Sequence, residues 1–176
     1  NIFYQERSID NPDYYVHNKA AREWEISKQR YWGTDLKKRF FIGDDTVLIG
    51  ALYKRESYVD HNQKFKNSDT GTLRDPVKFG TFVSDNYALY GSYEHDFGHG
   101  MTGIASFRWD AYHTERGNFD AFLPQVQINK KLNDKESIYI NLGKSFRMPT
   151  MRQLYYSSGM LAANPNLNPE YGWNYE

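Results

Sequence analysis

Five histidines, two arginines bracketing a proline and two adjacent tyrosines are the residues here whose chemistry invites a site. His95 and His99 flank a tight turn, but no carboxylate or third histidine stands around them at ligand spacing, so the pattern gives no metal site. There is no cysteine, which excludes thiolate metal sites, disulfide frameworks and cysteine nucleophiles. Serine, histidine and aspartate are all present, yet there is no Gly-x-Ser-x-Gly elbow and no nucleophile with a supporting base. The chain therefore reads as a non-enzyme without a cofactor. Its formal net charge of +0 gives no bulk attraction to nucleic acid. The basic patch Lys64-Phe65-Lys66 is short and reads as solvated surface. What remains is a stretch near the C-terminal end. Ser145-Phe146-Arg147-Met148-Pro149-Thr150 leads into Arg152-Gln153-Leu154-Tyr155-Tyr156 and closes with Asn164-Pro165-Asn166-Leu167-Asn168-Pro169-Glu170. Arginine forks suit carboxylates, and tyrosine offers a flat apolar face with a polar tip.

The elements that must position these residues follow from composition and periodicity. The 176 residues suffice for one ordinary domain. Mean hydropathy is strongly polar at −0.82. Aromatics nevertheless make up 17% of the chain, with Tyr 15 and Phe 11, which is too many for a disordered segment. That mixture suits a transmembrane β-barrel with aromatic girdles and a polar lumen. A tyrosine-rich soluble β-sandwich fits the composition as well. The longest uncharged apolar run, Val47 to Tyr53, is far short of the ~18 residues of a helical span. With no initiator Met or signal peptide at the start and an alternating segment broken off at Trp173–Glu176, both ends read as cut.

Period-two alternation predicts strands with one lipid-facing and one lumen-facing side. Over Asp85–Phe97, Tyr87, Leu89, Tyr93 and Phe97 share a face opposite Asn86, Ser92, Glu94 and Asp96. Gly98-His99-Gly100 supplies the turn. Over Met101–His113, Ala105, Phe107, Trp109 and Ala111 face outward against Thr102, Ser106, Arg108 and Asp110, with Ile104 an exception. Phe122, Val126, Ile128 and Leu132 follow outward, then Ile138, Ile140, Leu142 and Phe146 after a turn at Asn133-Asp134-Lys135. The first half is less regular. Val47, Ile49, Ala51 and Tyr53 share a face after a turn at Gly43-Asp44-Asp45. Before it, Lys28, Arg30 and Lys38 share the parity of Trp24, Ile26, Trp32, Leu36 and Phe40. Charges on a lipid face are costly, so either a bulge changes the register there or this strand extends above the membrane.

These turns are short, whereas the connections 58–84, 113–121 and 147–171 read as long. Alternation of short turns and long loops is what outer-membrane barrels show. The expected fold is all-β: an antiparallel up-and-down transmembrane β-barrel segment of about seven strands, plus the terminal stub.

The Arg-x-Pro step, the tyrosine-rich loop and the Asn-Pro-Asn-Leu-x-Pro-Glu turn closely resemble, in order and spacing, one extracellular loop of the TonB-dependent outer-membrane receptors. Phe146, Arg147, Pro149, Asn164, Pro165, Asn166, Leu167, Pro169 and Glu170 carry the motif, and Asn86-Tyr87-Ala88-Leu89-Tyr90-Gly91 resembles a strand opening of the same family. The resemblance runs from about Trp24 to the end. It implies that residues 1–176 are part of a 22-stranded receptor barrel in the bacterial outer membrane. The plug domain, the energy-coupling box that contacts TonB and the remaining strands would lie outside this sequence.

The resemblance further implies TonB-dependent uptake of a ferric siderophore or similar metal chelate, with outer-membrane lipid and TonB as partners. Cobalamin or heme uptake by the same family is the alternative. Heme importers of the family often carry a histidine between the two loop motifs, and none occurs between Arg147 and Pro169. The implied ligand residues are Arg147 and Arg152, facing an anionic chelate, with Tyr155 and Tyr156 at its mouth. Each has a plainer reading. Pro149 ends a strand because it cannot donate to a ladder. Arg147 can pair with carboxylates of the barrel interior. The Asn-Pro steps form turns by their own chemistry, and the tyrosines suit an interface girdle.

Overall fold

Side-chain alternation and tight turns fold the chain into one meandering sheet. A computed structural model describes residues 1–15, 21–66, 77–155 and 163–176. Eight strands follow one another: β1 (Ile2–Tyr15), β2 (Ala21–Ile42), β3 (Asp45–Lys66), β4 (Val77–Gly98), β5 (Met101–Thr114), β6 (Gly117–Lys131), β7 (Ser137–Arg147) and β8 (Glu170–Tyr175). A five-residue helix, α1 (Met151–Tyr155), stands between β7 and β8. Every strand pairs antiparallel with its sequence neighbours in one sheet of order β1 to β8, which is not closed on itself. Among the described residues no second sheet faces it, so the β-sandwich is set aside. The terminal stub is the end of β8.

The exposure pattern inverts that of a water-soluble protein. Leu89 is 53% exposed and Phe107 46%, while Asn86 and Asp110 on the opposite face are 3% exposed. Phe122, Val126, Ile128, Ile140 and Leu142 continue the exposed apolar band. Rings line its upper border. Trp32 and Tyr53 lie 5.4 Å apart, Tyr53 and Tyr87 5.1 Å, and Tyr87 and His113 5.6 Å. An apolar outer band with an aromatic border and a polar inner face is the arrangement a barrel wall presents to lipid.

On the inner face, Asp110 binds Arg108 through two contacts, 2.6 and 2.8 Å, and accepts from Asn86 at 3.2 Å. Gly50 lets the Tyr90 ring lie flat across β3. A Cβ there would sit 2.2 Å from Tyr90 Cζ. The hydroxyl thereby crosses a whole strand to donate to Asp35 on β2 at 2.5 Å.

The short turns lie where expected. His99 adopts φ 53° between Gly98 and Gly100, both at φ 75°. The suspected bulge in β2 is absent. β2 and β3 pair without a register shift from Ala21↔Lys66 to Ile42↔Asp45. The alternative fits Lys28 and Arg30 but not Lys38, which pairs with Ile49 near the short turn after Ile42. Each of β2, β3 and β4 is 22 residues long, about 70 Å at ~3.3 Å per residue, against a hydrocarbon core of about 30 Å. Their upper halves stand above the membrane, where charges on the outer face meet water. There Glu6 binds Lys28 at 2.9 Å and Arg30 at 2.7 Å.

The expectation of long loops at that end needs correction. The strands consume most of 58–84, leaving 67–76 outside the described residues. Residues 113–121 form a hairpin with Glu115-Arg116 as its whole turn, closed at Thr114↔Gly117. The Thr114 hydroxyl donates to the Gly117 carbonyl at 3.0 Å and accepts from the Arg116 amide at 3.2 Å. Gly117, at φ 128°, takes a conformation that side chains resist. No Asn-Gly or Asp-Gly pair signals this turn. The connection 148–169 between β7 and β8 is long as expected, so among the described residues the expectation fails at the β5–β6 hairpin.

Candidate ligand-binding site

Above the membrane band, α1 folds back over the inner face. Its start is a capping box, Thr150-x-x-Gln153. The Thr150 amide donates to Gln153 Oε1 at 2.9 Å, and the Gln153 amide to Thr150 Oγ1 at 3.3 Å. Met151 and Leu154 are buried against the sheet, 5% and 3% exposed. Tyr155 stacks on Phe82 of β4 with ring centroids 3.6 Å apart and planes 3° from parallel. Burial pushes the Tyr155 phenol above its usual pKa.

Helix and sheet enclose a cavity of about 560 Å³. Its lining is mixed: Tyr31, Lys54 and Glu56 from β2 and β3, Tyr112 from β5, Arg147 from β7 and Tyr155 from α1. Gln29 Nε2 donates to Glu56 at 2.7 Å, and Lys54 lies 3.5 Å from the same carboxylate. Rings for contact, the Gln29 amide for hydrogen bonding and two cations, Lys54 and Arg147, suit a polar organic ligand with a flat or hydrophobic part.

The residues expected to meet a ligand fall into three groups. Arg147 and Tyr155 both line this cavity. Arg147 also lies 3.9 Å from Glu170, its register partner on β8, and that pair is largely exposed. Arg152 points elsewhere, into a small cavity with Arg7, Ser27, Gln29 and Tyr58. Tyr156 lies outside the described residues.

The motif residues have identifiable structural work. Asn164 closes the Asn-Pro turn: its side-chain oxygen accepts from the Asn166 amide at 2.9 Å and its carbonyl from the Leu167 amide at 3.3 Å. The Asn164 amide donates to the Gln153 carbonyl at 3.1 Å, tying this turn to α1. Pro149 stands between the end of β7 and the cap of α1.

Phe146 corrects an expectation. Parity assigned it to lipid, yet its ring lies 5.7 Å from Tyr112 and lines the inner cavity. β7 leaves β6 beyond Gly143↔Gln125. The next pair in register would set Lys144 against Pro124, whose nitrogen carries no hydrogen. Beyond that point β7 is paired on one side only, with β8 as far as Arg147↔Glu170, and there the Phe146 ring turns toward Tyr112.

Two contributors were not anticipated. Arg116 donates to the Leu167 carbonyl at 2.6 Å, clamping the Asn-Pro turn to the β5–β6 hairpin. Nothing local marks it, because its partner is 51 residues away. The α1 helix did carry a local signal, the Thr150-x-x-Gln153 spacing.

A family model described as TonB dependent receptor-like, beta-barrel matches residues 1–176. No curated protein sequence matches the chain. Among solved structures it is similar to the copper transporter OprC, with TM-score 0.75 and 18% identity over 97% of this chain and 30% of that one. It is similar to the ferric citrate transporter FecA in the unliganded form, with TM-score 0.55 and 17% identity over 82% and 24%. A chain of the FpvAI-pyocin S2 complex gives TM-score 0.58 and 15% identity over 99% and 27%. At these identities the likeness carries the fold alone. The chain spans 24–30% of the length of those proteins.

Proposed function

Since the chain belongs to the TonB-dependent receptor β-barrel family, we propose that it supplies wall strands and one ligand-facing loop to an outer-membrane importer of a metal chelate, a ferric siderophore first of all. The family resides in the bacterial outer membrane, and so does this chain. Residues 1–176 are one part of the barrel domain. The plug that gates the lumen and the contact with TonB belong to other parts of the receptor. The protein acts as a transporter and not as an enzyme.

The observation that carries this reading is the cavity beneath α1. Its mixed aromatic and polar lining, with Lys54 and Arg147 at hand, sits on the lumenal face above the membrane band. A chelate entering from outside meets that face first. Tyr155 contributes from α1, and Arg147 contributes as far as its pairing with Glu170 allows. Cobalamin and heme are weaker readings; the loop between Arg147 and Pro169 lacks the histidine that heme would favour. The likeness to a copper transporter does not redirect the proposal, since 18% identity carries the fold alone.

The test is uptake in a strain stripped of its own receptors and expressing the full-length parent. Radiolabelled ferric siderophores, cobalamin, heme and copper are offered in parallel, with and without TonB. TonB-dependent accumulation of iron from a siderophore is the expected result. Accumulation of cobalamin, heme or copper alone would overturn the choice of cargo, and uptake indifferent to TonB would overturn the mechanism.

A further inference from the structure

The lipid-facing side of the sheet carries a groove with charged groups near its foot. Ile49 of β3, Gly91 of β4 and Phe107 of β5 stand in register on that side, and Lys38 of β2 pairs with Ile49 in the same row. One row nearer the short turns come Val47, Tyr93 and Ala105. The two small residues, Gly91 and Ala105, are diagonal neighbours. The surface dips along them, and an apolar groove of about 450 Å³ opens there toward lipid. That volume falls within the ~300–1,000 Å³ of small-ligand pockets. The Phe107 ring forms one wall, since a Cβ on Gly91 would meet it at 3.0 Å. Tyr93 stands at the foot, and its position is fixed. Its hydroxyl donates to Asp45 at 2.7 Å. His95, stacked on the Tyr93 ring with centroids 6.2 Å apart, lies 2.6 Å from the same carboxylate.

We infer that this groove seats a phospholipid with a primary-amine headgroup, of the phosphatidylethanolamine class, from the leaflet on the side of the short turns. One acyl chain lies in the groove, the phosphate meets Lys38, and the ammonium meets Asp45. The same-face neighbours of Lys38 are Leu36, Phe40 and Ile49, all exposed and apolar, so its charge is costly in lipid. A long lysine stem near the end of a span carries the ammonium toward the interface, and a phosphate there turns the cost into an attraction. Lys38 stands four residues before Ile42, the register partner of Asp45, about 13 Å along the strand at ~3.3 Å per residue. From the groove toward the turns, the wall thus presents apolar surface, then a cation, then a carboxylate. An aminophospholipid presents chain, phosphate and ammonium in the same order. Its N–H groups can make a charge-assisted hydrogen bond to Asp45, which a quaternary ammonium or a glycerol headgroup cannot. The rings of Tyr93 and Phe97, on either side of His95, offer faces to the same cation. The seat lies on the face opposite the ligand cavity and is independent of which chelate is imported.

The experiment uses the purified full-length receptor, stripped of lipid in detergent, with assembly checked by heat-dependent gel mobility. Phosphatidylethanolamine, phosphatidylcholine and phosphatidylglycerol of one acyl composition are each titrated, and native mass spectrometry reads the first bound lipid. Wild type should bind phosphatidylethanolamine roughly tenfold more tightly than the other two. Three variants should each erase that preference. Asp45→Asn removes the partner of the ammonium, Lys38→Gln that of the phosphate, and Ala105→Phe fills the groove with apolar surface that lipid tolerates. Tyr93→Phe keeps the ring and frees Asp45 of the phenol, so it should retain the preference. Equal binding of the three lipids by wild type, or tighter binding of either other lipid, overturns the aminophospholipid assignment. A preference that survives Ala105→Phe arises elsewhere on the receptor and overturns the groove. One that survives both Asp45→Asn and Lys38→Gln overturns the headgroup contacts. Its loss in Tyr93→Phe would mean that Asp45 acts only by holding Tyr93, and overturns the ammonium contact.

Discussion

The two faces of the β4–β5 hairpin obey different rules. Outward, Leu89, Phe107 and Trp109 stand exposed, with the loose aromatic pair Phe107–Phe122 at 6.1 Å. Inward, Asn86, Arg108 and Asp110 are locked by hydrogen bonds of 2.6–3.2 Å, and Tyr90 reaches across Gly50 to Asp35. The outer face is defined by its solvent. Any apolar residue of similar size serves there, and a charge does not, whatever its neighbours. The inner face is defined by particular partners, so a modest change of shape is felt even when polarity is kept.

The sharpest way to break this contrast is Phe107→Arg in the full-length receptor. A charge at the membrane midplane costs about 2–4 kcal/mol, falling toward the interfaces. The assembled fraction in the outer membrane should drop, and Phe107→Leu should leave it unchanged. Normal assembly of the arginine variant, read by heat-dependent gel mobility, would show that Phe107 does not face lipid.

Gly50→Val tests the inner face. The branched side chain would occupy the position of the Tyr90 ring, with an overpacking cost of about 1–3 kcal/mol. In urea unfolding, adding Tyr90→Ala should return part of that loss, because the clash partner is gone. Strict additivity of the two changes would mean that the ring does not lie on Gly50.

A smaller effect belongs to Arg147 at the main cavity. Arg147 lines the main cavity but has Glu170 3.9 Å away, so Arg147→Ala should leave assembly near wild type and weaken chelate binding by only about twofold to fivefold. Weakening of binding by tenfold or more would show that Arg147 meets the ligand despite Glu170.

The smallest effect belongs to Glu6 above the membrane. Hydrogen bonds from Lys28, then Tyr4 and Arg30, hold its carboxyl down at about 2. A depressed carboxylate contributes stability that is present above its unfolded pKa of ~4.3 and lost as pH falls toward the folded value. The cluster faces solvent, so salt screens it. Thermal midpoints of wild type and Glu6→Gln should therefore differ slightly at pH 6 and converge between about pH 4 and pH 2. A difference that persists at pH 2 would assign the effect to packing instead of charge.

Local pattern made much of the sheet legible. Alternation over Asp85–Phe97 and Met101–His113 identified β4 and β5, and both faces of β5 came out as read, because side-chain direction in a strand depends on parity alone. The glycines at 43, 98 and 100 marked turns through their conformational freedom. The Arg-x-Pro and Asn-Pro motif identified the family. Reading failed where a neighbour decided the outcome. Phe146 kept its parity and lost its face where β7 leaves β6 and follows β8 alone. The hairpin at Glu115-Arg116 lacked a turn dipeptide and was set by the Thr114 hydroxyl and the pairing on either side.

The sequence by itself determined the strand class, the alternating faces and the family, since these rest on periods of a few residues and a contiguous motif. The tertiary structure alone decided which residues meet. Asp35 and Tyr90 are 55 positions apart, and Arg116 and Leu167 are 51. Arg7 and Arg152 share a cavity only because β1 to β3 pair in register and α1 folds onto them. The physical reason is register. Alternation tells each residue which side to face, but its partner depends on how far every strand has slid against the next, and that is fixed by the pairing of the sheet as a whole.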